Sequence, residues 1–111
     1  MLGRRKQNAI DVAGGQAGHR AGRLVLVGVR EAGERSRGYV PGSRHLPLAE
    51  VKHRLDELPA DRPVAFICQS GRRSAMAAAA ARSAGLDAHN VSGGMTAWER
   101  QGLNTDTTER T

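Results

Sequence analysis

The chain has 111 residues, which is room for one domain and not for two. Hydrophobic residues make up only 39% of it, much of that alanine, and the net charge is +6 at pH 7. Because this composition lies close to that of disordered chains, the order of the residues has to decide whether the chain folds.

The sequence excludes several classes of protein. No apolar run approaches the roughly 18 residues of a membrane-spanning helix, and the basic start at residues 1–7 is not followed by the apolar run of a secretion signal, so we expect a cytoplasmic protein with no membrane partner. The single cysteine, Cys68, excludes an internal disulfide and a cysteine-rich metal cluster. The four histidines lack ligand spacing, so we expect no metal and no cofactor. Dispersed arginines and few aromatic residues argue against a nucleic-acid partner.

Hydrophobic patterning and turn residues predict the elements in chain order. They are a flexible basic arm over residues 1–8, a short strand at 9–12, a weak glycine-rich helix within 13–22, a buried strand at 24–27, a loop or single helical turn at 30–38, an edge strand at 45–48, an amphipathic helix at 49–58, a buried strand at 64–68, a helix at 72–84, a strand at 88–91, a short helix at 95–101 and a flexible tail over 104–111. This alternation predicts an α/β domain over residues 9–103 with a mostly parallel sheet. Ligands of such sheets bind beyond the carboxyl ends of the strands, where Cys68 lies.

The segment that carries the chemistry joins a predicted strand to a predicted helix and reads Cys68-Gln69-Ser70-Gly71-Arg72-Arg73-Ser74. The first amides of a helix have no intrahelical partner, and together with the helix dipole they attract an anion. A thiolate placed there is stabilised, since lowering a thiol pKa from about 8.5 to about 6.5 takes roughly 2.7 kcal/mol. Such a site suits either transfer of a sulfane sulfur through a persulfide or attack on a phosphoryl or arsenyl oxyanion.

Four ordered segments of the chain carry a resemblance to a known family. They are Val29-Arg30-Glu31 with Glu34 and Gly38-Tyr39-Val40-Pro41-Gly42-Ser43; His45-Leu46-Pro47-Leu48; Cys68-x-x-Gly71-x-Arg73-Ser74; and Val91-Ser92-Gly93-Gly94 with Trp98 and Gly102. Together they resemble the signatures of the rhodanese-like (thiosulfate sulfurtransferase) family over nearly the whole chain. The resemblance implies a three-layer α/β/α fold with a five-stranded, mostly parallel central sheet, and a cysteine that carries sulfur as a persulfide.

The size of the loop favours sulfur over phosphate. The phosphatase and arsenate-reductase relatives of the family usually have a loop one residue longer, often with histidine before the cysteine. Here Ile67 precedes Cys68, and only four residues separate Cys68 from Arg73.

The chain departs from the family pattern at two positions. The family usually has aspartate where this chain has Gly28, and an aromatic residue where it has Arg35. We expect the first change to remove a support for the loop and the second to thin the core.

The resemblance assigns roles to the candidate site residues. Cys68 is the nucleophile, and the substrate is bound, mainly through backbone amides, by Gln69, Ser70, Gly71, Arg72, Arg73 and Ser74. For three side chains two roles stay open. Arg73 binds the anionic substrate or braces the loop through backbone carbonyls, and Arg72 contacts thiosulfate or is a solvated surface residue. Ser74 hydrogen-bonds the sulfur or caps the helix. Arg30 supports the site through a structural salt bridge, while Gly93, Gly94 and Trp98 determine the fold.

The predicted function is that of a sulfurtransferase. It moves a sulfane sulfur from thiosulfate or a persulfide donor, through a persulfide on Cys68, to cyanide or a thiol acceptor. Its partners are a small anionic sulfur donor, these acceptors and a protein sulfur acceptor, and the chain acts as a monomer or weak dimer. Two alternatives stay open: a non-catalytic sulfur-relay or protein-binding module, and a cysteine-dependent phosphatase or arsenate reductase.

Overall fold

In the computed structural model, which describes residues 8–108, five strands form one sheet between two layers of helices. The strands are β1 (Ala9–Ile10), β2 (Val25–Gly28), β3 (Arg44–His45), β4 (Val64–Ile67) and β5 (Ala88–Val91), in the spatial order β1-β5-β4-β2-β3. The helices are α1 (Val12–Arg20), α2 (Ala32–Arg35), α3 (Leu48–Val51), α4 (Arg72–Ser83) and α5 (Gly94–Arg100), with a 3-10 helix at Leu55–Glu57. The predicted α/β/α fold is confirmed, and every pair of these strands is parallel.

The strands β2 and β4 pair with each other in the interior of the sheet. Every residue of both is buried, as expected of apolar runs that meet helices on both faces. One apolar cluster packs α3 and α4 against Phe66, and a second packs α1 and α5 around Trp98 on the opposite face. With a helix layer on each face, the carboxyl ends of the strands are left as the edge where a site can form.

The predicted weak helix within 13–22 is the continuous helix α1. Asp11 caps it, its side chain accepting a hydrogen bond of 2.8 Å from the Gly14 amide. Gly18 faces the core, where a Cβ would lie 2.6 Å from the Leu24 side chain. The glycines that weaken the helix by propensity therefore let it approach the sheet closely.

The predicted continuous helix over 49–58 is wrong. The segment forms α3 and a separate 3-10 helix, and between them Arg54 leaves the helical conformation, with φ −130° and ψ 21°. Ion pairs span the break, because the Arg54 guanidinium binds Glu50 of α3 at 2.5 Å and Glu57 of the 3-10 helix at 2.8 Å. It also lets Val51 and Leu58 both be buried in the same cluster.

The chain beyond α5 returns to the domain. The Trp98 indole N–H donates to the Asn104 carbonyl at 2.8 Å. Asp106 and Tyr39 exchange two backbone hydrogen bonds of 2.9 and 3.0 Å in an antiparallel bridge. This part of the predicted tail therefore lies against the body of the protein, while most of the predicted arm 1–8 and residues 109–111 lie outside the described residues. The limits of the domain at 9 and 103 stay a prediction. No helix within residues 8–108 has the length and apolar character needed to cross a membrane.

Candidate active site

The loop that follows β4 wraps around the sulfur of Cys68. β4 ends at Ile67 and α4 begins at Arg72, with Gly71 between them at φ +104°, a conformation that glycine adopts readily. The sulfur accepts hydrogen bonds from the Gly71 amide at 3.1 Å and the Ser74 amide at 3.4 Å, and the Ser74 hydroxyl lies at 3.3 Å. The predicted cradle of main-chain donors is therefore present, and it closes on a single atom.

The surroundings of Cys68 favour the thiolate. Cys68 is 1% exposed and its apolar side joins the core cluster around Phe66. This burial raises the pKa of the thiol, but hydrogen bonds from the hydroxyl and amide of Ser74 and from the amides of Gly71 and Ser70 lower it, and the net pKa is lowered. Hydrogen bonding to the charged form outweighs desolvation, which is the condition for a buried thiol to be reactive.

The amino end of α5 fixes the loop from behind. The Met95 amide donates to the Cys68 carbonyl at 2.8 Å, and the Thr96 amide donates to the Gln69 carbonyl at 3.0 Å. These contacts require Gly94, because a Cβ there would lie 2.3 Å from the Cys68 carbonyl oxygen. The glycine pair assigned to the fold thus positions the site as well.

The side chain of Gln69 is tied down on both sides. Its oxygen accepts from Arg30 at 3.3 Å, and its nitrogen donates to the Thr96 hydroxyl at 3.0 Å. Arg30 also donates to the Glu34 carbonyl at 3.1 Å and to the Gly38 carbonyl. Arg30 therefore contacts the site through carbonyls and an amide, and not through the salt bridge predicted for it, since no ion pair in residues 8–108 involves it. Its supporting role stays a prediction.

Arg73 is bound to a carboxylate and not to the backbone carbonyls of the loop, while its predicted contact with substrate stays a prediction. Its guanidinium makes two parallel hydrogen bonds to the Glu34 carboxylate, at 2.7 and 2.8 Å. The hydrogen bonds from Arg73 lower the pKa of Glu34 to about 2. Because α2 carries Glu34 and α4 carries Arg73, the pair links the two helices beside the loop. Glu34 is therefore a site residue for which the sequence predicted no role.

Ser74 bonds the sulfur, as one of its two readings expected, and it does not cap the helix. The cap position is Gly71, and Ser74 is the third residue of α4. Its hydroxyl also lies 2.6 Å from the side-chain oxygen of Asn90 on β5. Asn90 was missed, although a polar residue next to the apolar Val91 in a predicted strand was a signal for it.

Arg72 and Ser70 form the outer rim of the loop. Both side chains are exposed, and neither has a hydrogen bond or ion pair to another side chain in residues 8–108. Arg73 is held by Glu34, so Arg72 is an exposed cation next to the cradle.

The two departures from the family pattern are in contact with each other. A Cβ on Gly28 would lie 2.9 Å from a guanidinium nitrogen of Arg35. Arg35 is 4% exposed, donates to the Ser43 carbonyl at 2.7 Å and lies over the Tyr39 ring at 4.4 Å. The expected thinner core is therefore wrong, because the Arg35 side chain fills the space beside Gly28.

Comparison with known proteins gives a consistent result. A family model described as the Rhodanese-like domain matches residues 15–101. The protein YqhL of Bacillus subtilis, itself described as uncharacterized, is 37% identical over 75% of this chain, and the chain spans 65% of its length. A protein named sulfurtransferase from Allochromatium vinosum is 37% identical over 72% of this chain and 76% of its own. Among solved structures, a rhodanese-related protein from Thermoplasma volcanium superposes with a TM-score of 0.84 at 27% identity, over 90% of this chain and 98% of its own.

Proposed function

Because this chain belongs to the rhodanese-like domain family, we propose that it is a sulfurtransferase in which Cys68 carries a sulfane sulfur as a persulfide. The observation that carries the proposal is the cradle, in which the amides of Gly71 and Ser74 and the Ser74 hydroxyl converge on the Cys68 sulfur. A persulfide adds one sulfur atom, whose negative charge the donors of this small loop are suited to stabilise.

The first half of the reaction loads the cysteine. The Cys68 thiolate attacks the outer sulfur of thiosulfate, a sulfur–sulfur bond forms, and the bond between the two sulfur atoms of thiosulfate breaks. Sulfite leaves with the electron pair of the broken bond. Arg72, exposed at the start of α4, is placed to attract the dianionic donor, and the net charge of +6 attracts it from a distance.

The second half unloads it. Cyanide or the thiolate of an acceptor attacks the outer sulfur of the persulfide, which forms thiocyanate or a new persulfide and returns Cys68 as the thiolate. Electrons balance without an oxidant or reductant, because each step exchanges one nucleophile for another at the same sulfur. The acceptor in the cell is a small thiol or the cysteine of a partner protein.

The test uses the single cysteine of the chain. After incubation with thiosulfate, mass spectrometry should show a gain of about 32 Da, one sulfur atom, on Cys68, and cyanide should remove it with formation of thiocyanate. Cys68→Ser is the negative control, and Ser83→Ala, an exposed change at the far end of α4, is the matched positive control. Turnover of an aryl phosphate that is lost in Cys68→Ser, without any persulfide, would replace this proposal by a phosphatase. Persulfide formation with no turnover on small acceptors would indicate a relay to a protein.

A further inference from the structure

The hydroxyl of Ser74 has two acceptors and one proton. Its oxygen lies 2.6 Å from the Asn90 side-chain oxygen and 3.3 Å from the Cys68 sulfur. A serine hydroxyl donates only one hydrogen bond at a time, so the two contacts cannot both be donated by Ser74. The contact to Asn90 has the length of a strong O–H···O bond, and an amide oxygen cannot supply the proton for it.

We propose that Asn90 is a positioning residue that competes with the Cys68 sulfur for the proton of the Ser74 hydroxyl. While the hydroxyl points to Asn90, the sulfur keeps only its amide donors, from Ser70, Gly71 and Ser74. In that arrangement a neutral thiol can donate its own proton to the Ser74 oxygen. When the thiolate forms, the hydroxyl rotates from Asn90 to the sulfur, and the bond to Asn90 is given up.

The fold allows Asn90 and the Cys68 sulfur to compete for this proton. Asn90 sits on β5, paired with Phe66 of β4, and its neighbour Val91 is buried, so the backbone that carries the amide is fixed. Ser74 is fully buried in the first turn of α4. Because both backbones are held, the exchange needs only the rotation of a hydroxyl about one bond.

The charges around the sulfur are separate from this exchange. The charged or titratable groups near the site come from four elements. They are Arg72 and Arg73 of α4, with Glu34 of α2 paired to Arg73; Arg30 and Glu31 in the loop before α2; Glu99 of α5, which acts on Arg30; and His89 of β5, bonded to Asp87. Substituting Asn90 by an uncharged residue changes none of these charges. A change in the pKa of Cys68 in such a variant therefore reports which acceptor the Ser74 hydroxyl donates to.

The proposal rests on Cys68 being the nucleophile of the proposed function, but its test does not require sulfur transfer. The thiol pKa is measured from the rate of iodoacetamide alkylation and from the ultraviolet absorbance of the thiolate, each against pH. The chain has one cysteine, so both signals belong to Cys68. We expect Asn90→Ala to lower the pKa by about half a unit to one unit, because the hydroxyl is released to the sulfur. Ser74→Ala should raise it.

The double variant separates this role from a structural one. In the Ser74→Ala background, Asn90→Ala should leave the pKa unchanged, since there is no hydroxyl proton to compete for. Asn90→Leu, which keeps most of the volume of the side chain without its polar atoms, serves if the alanine variant folds poorly. Asn104→Ala, the same change at an exposed position, should leave the pKa of Cys68 unchanged.

The opposite outcomes overturn the proposal. A raised or unchanged pKa in both Asn90 variants would mean that the amide donates to Ser74 and supports the thiolate, or does not take part. An equal shift with and without the Ser74 hydroxyl would mean that Asn90 acts by packing alone. If instead the pKa shifts as expected but thiosulfate never loads Cys68, the proposed function fails while this inference stands.

Discussion

Replacing Gly94 by alanine should damage both the stability of the protein and the geometry of the sulfur cradle. Gly94 has φ +56°, and a Cβ there would lie 2.3 Å from the Cys68 carbonyl oxygen and 2.7 Å from the Gln69 carbonyl carbon and oxygen. These are backbone atoms that the amides of Met95 and Thr96 hold in place, so they cannot move aside without loss of those hydrogen bonds.

The magnitude has two parts. A non-glycine residue in the left-handed region costs about 1–2 kcal/mol, and overpacking against a fixed structure adds about 1–3 kcal/mol. Gly102→Ala isolates the first part, because Gly102 has φ +73° with nothing within 4 Å of its Cβ position. At roughly 5 °C per kcal/mol for a domain of this size, we expect the melting temperature to fall by about 5–10 °C for Gly102→Ala and about 10–25 °C for Gly94→Ala.

Thermal unfolding followed by circular dichroism measures this difference, and alkylation of Cys68 against pH measures the site. Gly94→Ala should raise the thiol pKa, because a displaced loop withdraws its amides from the sulfur, whereas Gly102→Ala should leave it alone. Equal melting temperatures for the two variants, or a wild-type alkylation profile in a folded Gly94→Ala protein, would refute the argument that α5 fixes the loop.

Three further predictions concern charged side chains. Arg73 holds the pKa of Glu34 at about 2, well below its ordinary value of 4.5, so the ionised carboxylate stabilises the fold above pH 4.5 and this contribution is lost as the pH falls towards 2. The free energy of unfolding should therefore fall less steeply with decreasing pH in Glu34→Gln than in the wild type. Parallel plots of unfolding free energy against pH would contradict the pairing. Gly28→Ala should destabilise the wild type but be nearly neutral in Arg35→Ala, with a coupling of about 0.5–3 kcal/mol in a double-mutant cycle by urea unfolding, and additive effects would show that the two positions do not compete for space. Arg72→Ala should raise the KM for thiosulfate by about three- to tenfold without a change in melting temperature, with the exposed Arg100→Ala as control, and an unchanged KM would leave Arg72 without a substrate role.

The sequence predicted the parts of this molecule that depend on local pattern. Apolar runs located β2 and β4, and the step from Ile67 into Cys68 and Gly71 located the loop, because buried strands and helix starts leave strong signals in neighbouring residues. The prediction of a helix over 49–58 was wrong because the break in it depends on contacts that the local pattern does not contain. Its apolar spacing is helical, but the break at Arg54 is set by side-chain pairing and by burial of Leu58, and neither is visible in the periodicity.

Partners of the site residues were harder to predict than the residues themselves. The sequence singled out Arg73 and Ser74, yet their partners Glu34 and Asn90 come from α2 and β5, far away in the chain. Which carboxylate meets which guanidinium depends on how the layers stack. The link between Gly28 and Arg35 was hidden in the same way, because only the folded chain shows that one side chain fills the space beside the other.

The order of the strands has a consequence for how the protein acquires its reactive thiol during synthesis. β5 lies between β1 and β4, so the first strand to leave the ribosome has no partner until residues 88–91 follow. The clamp on the loop comes later still, from α5. A nascent chain that already displays Cys68 therefore lacks the amides of α5 that hold the loop, and its thiol behaves like that of an ordinary unfolded peptide. The loop can therefore be fixed around the Cys68 sulfur only after residues 94–96 have been synthesised.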